Sequence, residues 1–84
     1  MKKTYVLASC QIGSEISVID ELKTILDVKE AHGILGAYDI VIEVESQSPE
    51  ELHNTIARIR KIPKLTNTLT LMKIEGQGFS KKSL

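Results

Sequence analysis

Apolar residues along this chain change spacing in a fixed order: strand, helix, strand, strand, helix, strand. That order restricts the fold more than any other feature of the sequence. Lys3 to Ile12 is rich in β-formers. Its apolar side chains fall at both parities, Tyr5 and Leu7 on one face and Val6, Ala8, Cys10 and Ile12 on the other, as in a central strand covered on both sides. Gly13 breaks the run, Ser14 offers a helix N-cap, and Ile16, Ile19, Leu22 and Leu26 then recur at helical spacing. This predicts an amphipathic helix ending near Asp27. Val28 to Leu35 reads as a second strand, Gly36-Ala37 as a tight turn, and Tyr38 to Glu45 as a third strand. In the third, Tyr38, Ile40, Ile42 and Val44 alternate with Asp39, Val41, Glu43 and Glu45.

Ser48-Pro49-Glu50-Glu51 starts the second helix, with a Ser cap, Pro at the first helical position and Glu three residues after the cap. Leu52, Ile56 and Ile59 form its apolar stripe. Arg58, Arg60 and Lys61 lie at its C-terminal end, where the helix dipole favours cations, and Pro63 stops it. Leu65 to Glu75 gives the fourth strand. One domain over residues 1–75 and a flexible tail over 76–84 follow. With right-handed crossovers, both helices fall on one face of a four-stranded antiparallel sheet, an α+β, ferredoxin-like β-α-β-β-α-β sandwich. The other face must then carry either Val6, Ala8 and Cys10 or Tyr5 and Leu7. A bare apolar face on a domain this small predicts a homodimer packed sheet against sheet, assembling further to a tetramer or octamer.

A chain of 84 residues buries only about 60 to 65% of the surface it exposes when unfolded, so stabilisation by a second copy is expected on size alone. Eleven basic and eleven acidic residues balance, which argues against a field that draws the chain to nucleic acid or an anionic membrane. The single cysteine, Cys10, has no internal disulfide partner, and no leader or long apolar run is evident, so the cytoplasm is the expected location.

Catalytic and cofactor signals are weak. Cys10, His32 and His53 lie on three different predicted elements without metal-ligand spacing, and neither histidine has a nucleophile beside it. No glycine run with lysine forms a phosphate loop, and the sheet lacks the aromatics that stack RNA bases. No cofactor, no metal and no enzymatic activity are expected.

Gly33-Ile34-Leu35-Gly36-Ala37-Tyr38-Asp39-Ile40-Val41 resembles the hairpin signature of the effector-binding (RAM) domain of the Lrp/AsnC transcriptional regulators. The opening YVLASCQIGSE, the helix SPEELHNTIARIRKI and the last strand TNTLTLMKI follow in that family's order, so the resemblance spans roughly residues 4 to 75. Regulators of this family carry an N-terminal helix-turn-helix. A chain that opens on the first sensor strand is expected to be a stand-alone sensor without direct DNA binding, acting through a full-length Lrp/AsnC-type regulator. The resemblance implies an amino acid or related small metabolite as ligand, held near a subunit interface between the hairpin and the start of the last strand. Ala37 stands where many relatives have an acidic residue, and Asn67 likewise leaves the ligand's identity open.

The chemistry suits such a ligand. Small residues at Gly36 and Ala37 let backbone N–H groups approach a carboxylate, Asp39 is an acceptor for an ammonium, and Thr66, Asn67 and Thr68 add hydroxyl and amide contacts. Each has a competing structural role: Gly36-Ala37 as a turn, Asp39 as a solvated strand residue, the threonines as strand formers. Tyr38, also a candidate, competes as a packing residue. Two other functions stay open, a ligand-free interaction module that pairs with full-length regulators and a small cofactor-free enzyme.

Overall fold

A computed structural model describes residues 2–74, 76–79 and 81. Its first element, strand β1 (Lys2–Cys10), resolves the ambiguity left by its sequence. Thr4, Val6, Ala8 and Cys10 are buried, whereas Tyr5, Leu7 and Ser9 are half-buried on the opposite side. The chain continues through α1 (Glu15–Leu22), β2 (Val28–Gly33), β3 (Ile40–Ser46), α2 (Pro49–Arg60) and β4 (Leu65–Met72). The sheet runs β2-β3-β1-β4 with every neighbouring pair antiparallel, which is the expected ferredoxin-like arrangement.

Both helices cover the face that carries Val6, Ala8, Ile40, Ile42 and Val44. Val18, Leu22 and Ile25 descend onto it from the first helix and its end, and Ile59 and Ile62 from the second. Each of these aliphatic side chains contributes about 1.5 to 3 kcal/mol on full burial. Helix α2 begins where its capping sequence places it: Ser48 Oγ accepts from the Glu51 N–H at 3.1 Å. The Glu51 carboxylate returns to the N–H of Gln47, the residue before the cap, at 3.0 Å.

Several boundaries differ from the sequence reading, beginning with β1, which ends at Cys10 where Ile12 was expected and leaves Ile12 fully exposed. Helix α1 stops at Leu22, not near Asp27, because Thr24 and Ile25 donate three residues back, to Glu21 and Leu22. Tight turns of this kind place residues three apart on one side. Ile25 therefore enters the core in place of Leu26, which is 83% exposed, and Ile16 is exposed as well. Gly36-Ala37 is not a tight turn: β2 ends at Gly33, β3 begins at Ile40, and the loop between them is closed by Ile34 N–H donating to Asp39 O at 2.8 Å. Gly36 has φ 146°, a conformation that L side chains rarely adopt. Strand β4 ends at Met72, and the expected strand end at Glu75 and tail positions Ser80 and 82–84 lie outside the described residues.

The open face carries Tyr5, Leu7, Val41, Leu69 and Leu71 in register across the central strands. Tyr5 pairs with Leu71 and Glu43, and Leu7 with Leu69 and Val41. Toward the β2 edge the face turns polar, with Glu30 opposite Glu43 and His32 opposite Val41. Lys3 Nζ lies 4.0 Å from the Glu43 carboxylate.

Candidate functional site

Strands β1 and β3 part company at Asp39, and the reason lies in what its three polar groups do. Its N–H donates to Ala8 O at 2.9 Å, its carbonyl accepts from Ile34, and its carboxylate Oδ2 accepts from the Cys10 N–H at 3.0 Å. The carboxylate thus takes the position that a further strand carbonyl would fill. Among the described residues, Oδ1 has no hydrogen-bond partner.

The same end of the sheet receives the turn into α1. Gly13 supplies a positive φ of 83°, and Glu15 bends back so that Oε1 accepts from the Gly13 N–H at 3.1 Å. Ser14 occupies the N-cap position without a side-chain cap bond. The β1–α1 turn and the β2–β3 loop flank an open recess of about 370 Å³ lined by Glu15, Gly33, Ile34, Leu35 and Asp39. Both carboxylates are half-buried, and among the described residues neither forms an ion pair. Their field reaches Cys10: burial pushes its thiol pKa up, and the negative charges of Glu15 and Asp39 push it further.

The loop above the recess is rich in unused donors. Among the described residues, the backbone N–H groups of Leu35, Gly36, Ala37 and Tyr38 donate to no protein acceptor, while those of Ile34 and Asp39 on either side are engaged. Leu35 is fully exposed at 103%, and Ile12 and Ile16 add exposed aliphatic side chains on the turn into α1 and its first residues.

Of the residues singled out from sequence, Asp39 lines the recess. Gly36 and Ala37 lie exposed in the adjoining loop, and Tyr38 is half-buried beside it. Thr66, Asn67 and Thr68 fall on the far side of β1, where Asn67 pairs with Ser9 and Thr68 with Ala8. They are two strand spacings, roughly 10 Å, from the Asp39 strand. Thr66 is the extra residue of a bulge in β4, between the pairs Ser9–Asn67 and Cys10–Leu65. Thr68 Oγ1 accepts from Arg60 Nε at 3.2 Å, on the helix side of the sheet. Within one chain the two candidate segments do not meet. Glu15, Gly33, Ile34 and Leu35 also line the recess, and no local sequence pattern marks them for the site. The β-α-β-β order alone puts the first turn and the hairpin at one end of the sheet, and that was the available signal.

Elsewhere, a smaller recess of about 180 Å³ lies between the helices, lined by Glu21, Thr24, Ile25, Arg58, Lys61 and Ile62. His32 and Glu30 pair at 2.8 Å on the exposed edge strand. Among the described residues, no group of three His, Cys, Asp or Glu side chains converges as a metal site, and no helix is long and apolar enough to cross a membrane.

Comparison with known proteins adds likenesses of three kinds, to a family, to solved structures and to a curated protein. The family model described as Lrp/AsnC ligand binding domain matches residues 6–76. Among solved structures, a hypothetical protein from Pyrococcus horikoshii is 31% identical, with a TM-score of 0.82 over 92% of this chain and 94% of its own. The structure of E. coli AsnC gives a TM-score of 0.80 over 95% of this chain and 55% of its own; at 23% identity that likeness shows the fold. Among curated proteins, homocitrate synthase of Sulfurisphaera tokodaii is 41% identical over 54 residues, 64% of this chain, which spans 12% of the length of that relative.

Proposed function

The chain belongs to the Lrp/AsnC family through its ligand-binding domain, and from that premise we propose that it senses a free amino acid at the Asp39 recess. One observation carries this reading: an unengaged carboxylate oxygen sits beside a run of unengaged backbone N–H groups, at the mouth of a recess of about 370 Å³. An amino acid presents the complementary pair. Its α-carboxylate accepts from the Gly36 and Ala37 N–H groups and its α-ammonium donates to Asp39 Oδ1, both as charge-assisted bonds. A recess so open at Leu35, Ile12 and Ile16 is a site that a second copy closes. Thr66 and Asn67, exposed and too far away within one chain, reach the ligand only from such a copy, whereas the Thr68 hydroxyl is held on the helix side by Arg60.

Assembly follows the open face. Tyr5, Leu7, Val41, Leu69 and Leu71 form an apolar centre that a second sheet covers, so the unit is a homodimer or a larger oligomer. Light scattering at micromolar concentration should exceed the monomer mass of 9.3 kDa.

The deciding experiment is a thermal-shift panel of the twenty amino acids. An effector at one hundred times its dissociation constant raises stability by about 2.7 kcal/mol. Calorimetry then compares wild type with Asp39→Asn, which keeps an oxygen for the Cys10 N–H and removes the charge. Loss of one charge-assisted bond lowers affinity roughly ten- to hundredfold. A panel in which no amino acid moves the melting temperature leaves the competing reading, a ligand-free module that acts by mixed assembly alone.

A second reading concerns the partner. Similarity to part of homocitrate synthase favours an enzyme, alongside a full-length Lrp/AsnC-type regulator, as the protein whose activity the module adjusts. Mixed-assembly experiments with each candidate, monitored by light scattering, separate them.

A further inference from the structure

The recess holds one carboxylate more than an amino acid's backbone groups require, and we infer that it selects an amino acid whose side chain ends in a cation, of the lysine or ornithine kind. The inference rests on the amino-acid reading above and concerns the side-chain half of the same site. Asp39 Oδ1 is the acceptor for the α-ammonium. Glu15, on the opposite rim, keeps Oε2 free after Oε1 has accepted from the Gly13 N–H.

Among the described residues no basic side chain lines the recess and no ion pair satisfies either carboxylate. Both carboxylates line the same recess. Ile34 and Leu35, exposed on the β2–β3 loop, add aliphatic surface to the lining along which a run of methylenes can lie. A neutral aliphatic ligand filling this space strips water from Glu15 and returns no partner, and an acidic ligand adds a third negative charge. A methylene stem ending in an ammonium satisfies that aliphatic surface and Glu15 together, and its charge-assisted bond forms only with that ligand class.

Lysine and norleucine share the same carbon chain and differ by the terminal ammonium, so they isolate this contact. Calorimetric titration of the full chain should give lysine an affinity at least roughly tenfold above norleucine, with glutamate showing no binding. Glu15→Gln retains an oxygen for the Gly13 N–H. It should lower lysine affinity by roughly tenfold and leave norleucine where it was. Norleucine or leucine binding as tightly as lysine overturns the selection while leaving the amino-acid site intact. So does a Glu15→Gln protein that binds lysine as the wild type does, or that weakens both ligands equally. No binding by any of the twenty amino acids overturns the site itself and this inference with it.

Discussion

The two faces of the sheet are built from the same strands with interleaved residues, yet they obey different rules. On the covered face Val6, Ala8, Ile40, Ile42 and Val44 are all fully buried beneath the two helices. On the open face Leu69 and Leu71 keep 43% and 45% of their surface, and Glu43 and Lys3 pair among the apolar side chains. The covered face is closed within one chain and specifies the fold. The open face is half-satisfied, apolar at its centre and charged toward the β2 edge, the composition that the proposed sheet-to-sheet assembly requires. One-residue alternation lets a single strand such as β1 serve both purposes.

The sharpest way to break this contrast is to cut into each face and compare. Ile42→Ala removes a fully buried side chain from the covered face, and chemical denaturation should record a loss of about 2 to 5 kcal/mol. A loss below 1 kcal/mol would mean that the helices do not close over Ile42 as described. Leu71→Lys places a charge at the centre of the open face. Light scattering should then fall to the monomer mass, while the stability of the isolated chain changes by only about 0.5 kcal/mol. An undiminished oligomer would move the interface elsewhere. The smallest effect concerns Cys10, at the edge of the covered face. Burial, reinforced by Glu15 and Asp39, raises its pKa in the folded chain, so the unfolded chain loses this proton first as pH rises. Folding stability should therefore decline as pH climbs through the ordinary thiol value, about 8.5, toward the higher folded one. Melting curves at neutral and alkaline pH should show a steeper decline for wild type than for Cys10→Ala.

Sequence made the covered face legible because period and capping act locally. Ser48-Pro49-Glu50-Glu51 marks α2 with its own hydrogen bonds, and Ile40, Ile42 and Val44 declare a buried strand side by spacing alone. In β1 both parities are apolar, and its inward side could be settled only once the helices were in place. Asp39 belongs to the hairpin that the sequence singles out, and it lines the recess. Its bond to the Cys10 N–H is not a local pattern, since it joins residues 29 apart in the chain. Asp39 also keeps its carbonyl on the Ile34 N–H, so the hairpin stays closed as far as that pair and the loop runs over Leu35 to Tyr38 in place of the expected tight turn. Glu15 is not legible for the same reason: that it lines one recess with Asp39 is a relation that spacing along the chain does not encode.

The bond from the Cys10 N–H to Asp39 also turns one backbone amide into a gauge of the site. In heavy water, the Cys10 amide exchanges its proton only when the carboxylate lets go. A ligand that draws Asp39 toward its own ammonium loosens that grip and speeds exchange at this one position. A ligand that instead pins the β2–β3 loop slows exchange there and leaves the opposite end of the sheet, at Thr4 and Val44, as it was. The direction of change at a single proton thus distinguishes a carboxylate shared with the ligand from one kept for the fold, without the ligand's structure being known.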